Sequence, residues 1–192
     1  MERELLLTGI GGQGVQLGAQ VLARATVREG RHVLLLGVYG GTMRGGTTDA
    51  TLVIGDAPIE SPPIVSRSWS ALAMHPAHFE PVRRKLRPDA VVVLNASLFE
   101  AEMDRASHRF FEVAATRIAT ELRAPLAASL VLVAAYAGLT GVVGIDALVE
   151  AMQGSVPAYR RQHLETNERA LRAGYASVPR NAAPAFAGEE AA

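Results

Sequence analysis

Along this chain, short unbroken apolar runs alternate with stretches whose apolar positions recur every three to four residues. The run within Glu4 to Thr8 comes first, and a continuous apolar run this short is what a strand covered on both faces shows. From Val15 onward Gly18, Ala19, Leu22 and Ala25 fall at helical spacing, with Gly30 as the stop. His32 to Leu36 repeats the buried-strand pattern. Strand, glycine turn, helix and strand together predict a βαβ unit with a parallel, right-handed crossover.

The same reading continues downstream. Thr47 to Ile54 is β-branched and ends at the turn Gly55-Asp56, so it is a strand. Pro62 and Pro63 make Ile59 to Val65 extended but unfit for a central strand. Trp69 to Ala73 and the valine run Ala90 to Leu94 are further strands, with Phe110 to Val113 a short one. Pro76 to Leu86, Leu98 to Ala106, Ala115 to Leu122 and Ile145 to Met152 read as helices. The basic cluster Arg83-Arg84-Lys85 suits a solvated helix end. Val156 to Ala173 reads as a long helix, capped by Ser155 before and Gly174 after. From about Ser177 the periodicity stops, which predicts one domain over 1–176 and a flexible tail over 177–192. Strands and helices in this order predict a Rossmann-like, three-layer α/β fold with a mostly parallel sheet.

Composition narrows the chemistry. The 192 residues carry 19 basic and 19 acidic side chains, and aromatics are only 5%, so no global charge or stacking surface argues for nucleic acid. With no cysteine, the chain has no disulfide framework, no cysteine nucleophile and no thiolate ligand for an iron–sulfur cluster. Ala124 to Ile145 is uncharged and long enough to cross a bilayer, but Pro125, Gly138, Thr140, Gly141 and Gly144 break it. A buried helix over about Leu126 to Tyr136 fits better. The opening Met-Glu-Arg-Glu lacks a signal-peptide layout, which predicts a cytoplasmic protein with no membrane partner.

Two glycine-rich stretches follow the first two apolar runs, and the fold places both at the C-terminal edge of the sheet, where such folds hold ligands or partners. The first is Gly9-Ile-Gly-Gly-Gln-Gly-Val15, the second Tyr39-Gly-Gly-Thr-Met-Arg-Gly-Gly-Thr47. Gly9, Gly11 and Gly14 have the G-x-G-x-x-G spacing that lets phosphates approach amides at a helix N-terminus. The acidic residue that would hold a ribose is missing, since the next strand ends Leu36-Gly37-Val38-Tyr39, and this argues against an NAD dehydrogenase. The alternative is a tight turn made for close helix–sheet packing. Arg44, between glycines, can bind a carboxylate or phosphate bidentately, or pair with Asp49 or Asp56 within the chain. Tyr39 at a strand end suits packing or stacking. The five histidines form no metal-ligand pattern, and His75 and His78 straddle Pro76 without a third ligand. No catalytic constellation stands out.

At these loops the chain resembles the gamma subunit of 2-oxoacid:ferredoxin oxidoreductases, the pyruvate, 2-oxoglutarate, ketoisovalerate and indolepyruvate enzymes. The matching pieces are Gly9 to Val15, Tyr39-Gly-x-x-Met43-Arg-Gly-Gly46, Val53-Ile54, Pro58-Ile59 with Ser61-Pro62, Val93-Leu94-Asn95, and the last helix with Asn167, Ala170 and Gly174. The Met-Arg-Gly-Gly form looks most like the 2-oxoglutarate (KorC-like) branch. The chain departs from the family at Trp69-Ser70, where Asp is frequent, and around Ser129, where an Asn-x-x-Leu-Gly segment is usual.

The resemblance implies an oxidoreductase subunit, inactive alone, in a complex that oxidatively decarboxylates a 2-oxoacid to an acyl-CoA. Alpha and beta subunits are then expected to hold thiamine diphosphate and iron–sulfur clusters and to deliver electrons to ferredoxin. This chain would cover the thiamine site and help accommodate coenzyme A through Gly11, Gly12, Gln13, Gly14, Tyr39, Arg44, Gly45 and Gly46. Alone it would be free to form a homodimer. The subunit reading predicts a large apolar surface beside the loops, buried by partner chains. The competing reading is a stand-alone CoA- or nucleotide-binding regulatory module, with an open phosphate-sized cleft at Gly11 to Gly14.

Overall fold

The computed structural model describes residues 1–39, 45–60, 62–99 and 107–186. Six strands form one sheet: β1 (Glu2–Ile10), β2 (His32–Tyr39), β3 (Thr47–Gly55), β4 (Ser68–Ala73), β5 (Leu86–Asn95) and β6 (Arg109–Val113), in the order β2-β3-β1-β4-β5-β6. β4, β5 and β6 continue in parallel from β1, while β3 runs antiparallel to both β1 and β2. The expected unit of neighbouring parallel strands is therefore interrupted. β1 and β2 point the same way, but β3 is inserted between them, with Leu5 opposite Leu52 and Leu52 opposite Leu35.

Among the described residues six helices complete the fold: α1 (Val15–Arg28), α2 (Phe79–Arg83), α3 (Ala115–Glu121), α4 (Ala128–Thr140), α5 (Ile145–Ser155) and α6 (Leu164–Ala176). The two faces of the sheet are covered unequally. On one face α1 lies across β1, β3 and β2 and α4 against β4 and β5, with α5 and α6 packed behind them. The large core forms here, from Leu5, Leu7, Leu52 and Ile54 of the sheet to Leu22, Leu132, Tyr136, Met152 and Leu171 of the helices. On the other face α2 and the 3-10 turn Pro76–His78 cover β1 and β4, closing a smaller core of Leu6, Ala71, Ala73, Phe79, Val92 and Leu94.

Every residue of α4 is buried, which accounts for the long uncharged run without any membrane. Among the described residues no helix is long and apolar enough to cross one. Its partner α6 begins at Leu164, after a 3-10 turn over Ala158–His163, rather than at Val156, and it runs through Gly174 instead of stopping there. Gly174 has a packing role: a Cβ on it would overlap the Val131 carbonyl of α4.

Two other expectations change. The basic cluster does end α2, where Arg83 and Arg84 both pair with Glu80, yet that helix stops at Arg83 and Leu86 already opens β5. The stretch after Ser177, read as a loose tail, is packed as far as Phe186. Its amides at Asn181, Ala183 and Ala185 donate to the carbonyls of Gly138, Leu139 and Thr140, the groups a helix end leaves without partners. Ala183 and Ala185 are buried, Arg3 donates to the Ala185 carbonyl, and Arg31 stacks on the Phe186 ring. The helix read over Leu98 to Ala106 lies mostly outside the described residues.

Candidate functional site

The register of the sheet brings the two glycine motifs together. β1 ends at Ile10 opposite Thr47, the first residue of β3, so the loop leaving β1 meets the one entering β3. The Gly11 amide donates to the Gly46 carbonyl at 2.8 Å. The turn that follows is closed on itself: the Gln13 amide donates to the Ile10 carbonyl at 3.1 Å, and the Gln13 Oε1 accepts from the Ile10 amide at 3.0 Å. Gly14 then opens α1 in the left-handed conformation, φ 77°, with no side chain capping the helix. This uncapped, 14-residue helix directs its partial positive charge to the corner where the loops touch.

The glycines divide into two kinds. A Cβ on Gly9 would come within 3.0 Å of Met74, Val15 and Gln13, and one on Gly14 within 2.7 Å of the Ser129 hydroxyl, so packing alone requires both. Around Gly11 nothing approaches a Cβ position closer than 3.6 Å, and around Gly12 and Gly45 nothing lies within 4 Å. The latter two do need glycine for their backbones, at φ 99° and 86°. Gly11 has no such need. Its bare, exposed backbone keeps that corner open to something outside the chain.

Of the residues singled out from the sequence, Gly11, Gly12, Gln13, Gly14, Gly45 and Gly46 converge here. Tyr39 ends β2 opposite Thr48, and Arg44 lies outside the described residues. Neighbouring groups that the sequence did not single out for this place complete the rim. Gln16 reaches across to donate to the Asp49 carbonyl at 2.7 Å. His78 Nδ1 lies 3.0 Å from Thr47 Oγ1, and its carbonyl accepts from Thr8 at 3.4 Å, which ties the start of β3 to the 3-10 turn. Asn95, buried at the end of β5, bonds Met74 and both the amide and hydroxyl of Thr116, fixing the floor between β4, β5 and α3. A lone histidine off any metal pattern and one asparagine after a valine run carry no local signal for such roles.

The two departures from the family pattern are interior positions. Ser70 bonds the Tyr136 hydroxyl at 3.0 Å and the Glu4 carbonyl at 3.0 Å. Burial holds the Tyr136 phenol well above its ordinary range, with the Ser70 bond opposing the shift. Ser129 packs against Gly14 and Gly18. Among the described residues no three His, Asp or Glu side chains converge as a metal site. An apolar depression of about 310 Å³ between α1 and α5, lined by Ala23, Val27, Val33 and Ala151, lies at the other end of α1 and takes no part in this corner.

β2 itself differs from expectation. It is not a buried strand but the edge of the sheet, with Leu34, Leu35 and Leu36 each 37% exposed and Val38 48% exposed. Leu126, whose carbonyl lies beside Gly14, is 74% exposed. Exposed apolar surface thus lies beside Gly14, at Leu126, and along the edge strand β2.

Comparison with known proteins agrees with this arrangement. The family model for pyruvate ferredoxin/flavodoxin oxidoreductase matches residues 4–177. The 2-oxoglutarate synthase subunit KorC of Methanothermobacter thermautotrophicus is 32% identical over 82% of this chain and 86% of its own. The pyruvate synthase subunit PorC of the same organism is 28% identical over 91% and 95%. In structure, the gamma subunit of a keto/oxoacid ferredoxin oxidoreductase from Geobacter sulfurreducens superposes with a TM-score of 0.78 at 22% identity, covering 92% of this chain and 95% of that one. A 2-oxoglutarate:ferredoxin oxidoreductase from Magnetococcus marinus gives 0.80 at 17% identity over 91% of this chain but only 30% of the other. With the two glycine motifs joined at one corner and the family pattern running from strand β1 to the end of α6, this chain belongs to the pyruvate ferredoxin/flavodoxin oxidoreductase family.

Proposed function

We propose that this chain is the gamma subunit of a 2-oxoacid:ferredoxin oxidoreductase, with 2-oxoglutarate as the favoured substrate, and that it is inactive without its partners. The observation that carries the reading is the corner itself. Two glycine loops meet there, at an uncapped helix N-terminus, beside apolar surface that this chain leaves uncovered. Alpha and beta subunits would bring thiamine diphosphate and iron–sulfur clusters, for which a chain without cysteine has no thiolate ligands. Ferredoxin would meet the assembled complex.

Coenzyme A is a group whose chemistry fits residues of this chain. Its phosphates suit the free amides at the start of α1, and Gly11 and Gly12 let them approach the backbone. Gln13 holds the turn closed, Gly14 opens the helix, Gly45 and Gly46 form the opposite wall, and Tyr39 ends the neighbouring strand β2; Arg44, outside the described residues, is a further candidate from the sequence. Bound there, coenzyme A would supply the thiol that accepts the acyl group. The chain's own contribution is to bind and orient it and to shield the partner's reaction centre.

The test is an anaerobic affinity purification of the tagged chain from its native cell. Recovery of partner subunits with iron, thiamine diphosphate and 2-oxoacid-dependent viologen reduction is the expected result. A colourless single chain that binds coenzyme A or a nucleotide would instead make it a stand-alone binding module and end the subunit reading.

A further inference from the structure

We infer that His78 is a positioning residue for the glycine corner: its ring holds Thr47, and through Thr47 the Gly45–Gly46 wall, at the spacing coenzyme A needs. The inference rests on the proposed coenzyme A site and adds to it a residue from another part of the fold. The wall offers nothing of its own to grip. Gly45 and Gly46 have no side chains, and no atom lies within 4 Å of a Cβ position on Gly45. Thr47 is the first side chain after them, and it starts β3 opposite Ile10, where the loop leaving β1 begins.

The grip comes from the 3-10 turn Pro76–His78, which follows β4. Both ends of this turn are fastened. Just before it, the Met74 amide donates to the Thr8 carbonyl at 2.9 Å, and the Met74 carbonyl accepts from Asn95 Nδ2 at 3.3 Å. His75 caps the turn, its Nδ1 accepting from the Ala77 amide at 3.2 Å. At the far end the His78 carbonyl accepts from the Thr8 hydroxyl at 3.4 Å. None of these contacts uses the His78 ring, so the turn keeps its place whatever side chain stands at 78. The ring is then free to reach outward from an anchored base, and its Nδ1 lies 3.0 Å from Thr47 Oγ1. That contact runs from the end of β4 to the start of β3. Between those two strands lies β1, whose exit loop carries Gly11 to Gly14. A neutral hydrogen bond contributes about a factor of five to an equilibrium. With the bond gone, the ligand must order the glycine wall itself, and the loss appears in its affinity.

The experiment uses the full-length tagged chain purified with its partner subunits and assayed anaerobically for 2-oxoacid oxidation as coenzyme A is varied. Wild type and Gly11→Ala are set beside His78→Leu, His78→Asn, Thr47→Val and the double variant His78→Leu/Thr47→Val. Thermal unfolding of each isolated chain runs in parallel. His78→Leu and Thr47→Val should each raise the KM for coenzyme A about fivefold, with kcat and the KM for the 2-oxoacid unchanged. The double variant should also stand at about fivefold, because both changes remove the same bond. Asparagine places its amide where Nδ1 stands, so His78→Asn should remain within about twofold of wild type. A purely structural role would lower Tm and activity together with no selective rise in KM, and that result overturns the inference. An unchanged coenzyme A KM in His78→Leu, beside a raised one in Gly11→Ala, overturns the inference and leaves the coenzyme A site standing. An effect of about 25-fold in the double variant, or no recovery of affinity in His78→Asn, overturns the His78–Thr47 contact as the cause. An unchanged KM in every variant, Gly11→Ala included, removes the coenzyme A site and this inference with it. Failure of wild type to recover any partner removes the subunit reading on which both depend.

Discussion

β5 and β2 carry nearly the same sequence pattern, Val91-Val-Val-Leu94 in one and Val33-Leu-Leu-Leu36 in the other, and meet opposite fates. The β5 run is buried completely, between α4 on one face and α2-side residues on the other, with β4 and β6 as neighbours. The β2 run has a single neighbour, β3, and its three leucines remain more than a third exposed. An apolar run records that a strand is to be buried, without recording whose atoms will bury it. In β5 the chain supplies them; in β2 the leucines are left more than a third exposed.

Substitutions that place charge in each strand should separate the two most widely. Val93→Asp puts an unpaired carboxylate into the main core and should remove about 4 kcal/mol or more of stability, enough to prevent recovery of soluble chain. Leu36→Glu should cost the isolated chain less than about 1 kcal/mol by denaturant unfolding. Equal losses from the two would erase the distinction between strands.

Gly174→Ala extends the contrast to the helices behind the sheet. The new methyl group meets the Val131 backbone, and the overpacking should destabilise the fold by about 1–3 kcal/mol, seen as a lower Tm. Gly11→Ala should leave Tm unchanged, because the site is open, yet lower the apparent affinity for coenzyme A in the assembled complex. A Tm loss at Gly11 would return that glycine to a packing role.

Titration gives a finer comparison of interior and surface. Burial raises the Tyr136 phenol above its ordinary value of 10.0, so the folded chain keeps a proton that the unfolded chain releases. Stability from this group is complete below pH 10 and declines as pH rises further, and Tyr136→Phe should flatten that decline in unfolding measured across alkaline pH. On the surface, hydrogen bonds from Arg83 and then Arg84 lower Glu80 to about 2. Any stability it adds is present above its ordinary 4.5 and lost as pH falls through about 2, a small effect at an exposed pair. Arg83→Gln should move the Glu80 midpoint upward in an NMR titration.

The α/β class, all six strands and the pairing of the glycine loops with one sheet edge were legible, because strand runs and helical spacing are local signals. The place of β3 was not. Its β-branched sequence identifies a strand, but insertion between β1 and β2 is settled by which edges remain free once the chain has turned at Gly45 and Gly46. Nor was the exposure of β2, since solvent leaves no mark on Leu34 to Leu36. Gly174 looked like a helix stop because a glycine near a helix end has the same appearance whether it terminates the backbone or admits a neighbouring one. At the corner, the motif named the glycines, while only the geometry separated Gly9 and Gly14, which the packing requires, from Gly11, which it does not. His78 and Asn95 were beyond reach for a further reason: their partners Thr47 and Thr116 lie 31 and 21 positions away.

The anchoring of residues 177–186 bears on the order in which this domain is made. Their amides finish the last turn of α4, and Arg3, at the start of the central strand, is held by Ala185. The first strand of this sheet therefore waits for residues 177–186 before its environment is complete, with the leucines of β2 already translated. Closure joins positions 182 residues apart, a long-range step that comes late and slowly in folding. Until that closure forms, the exposed leucines of β2 are the surface through which the nascent chain is expected to aggregate.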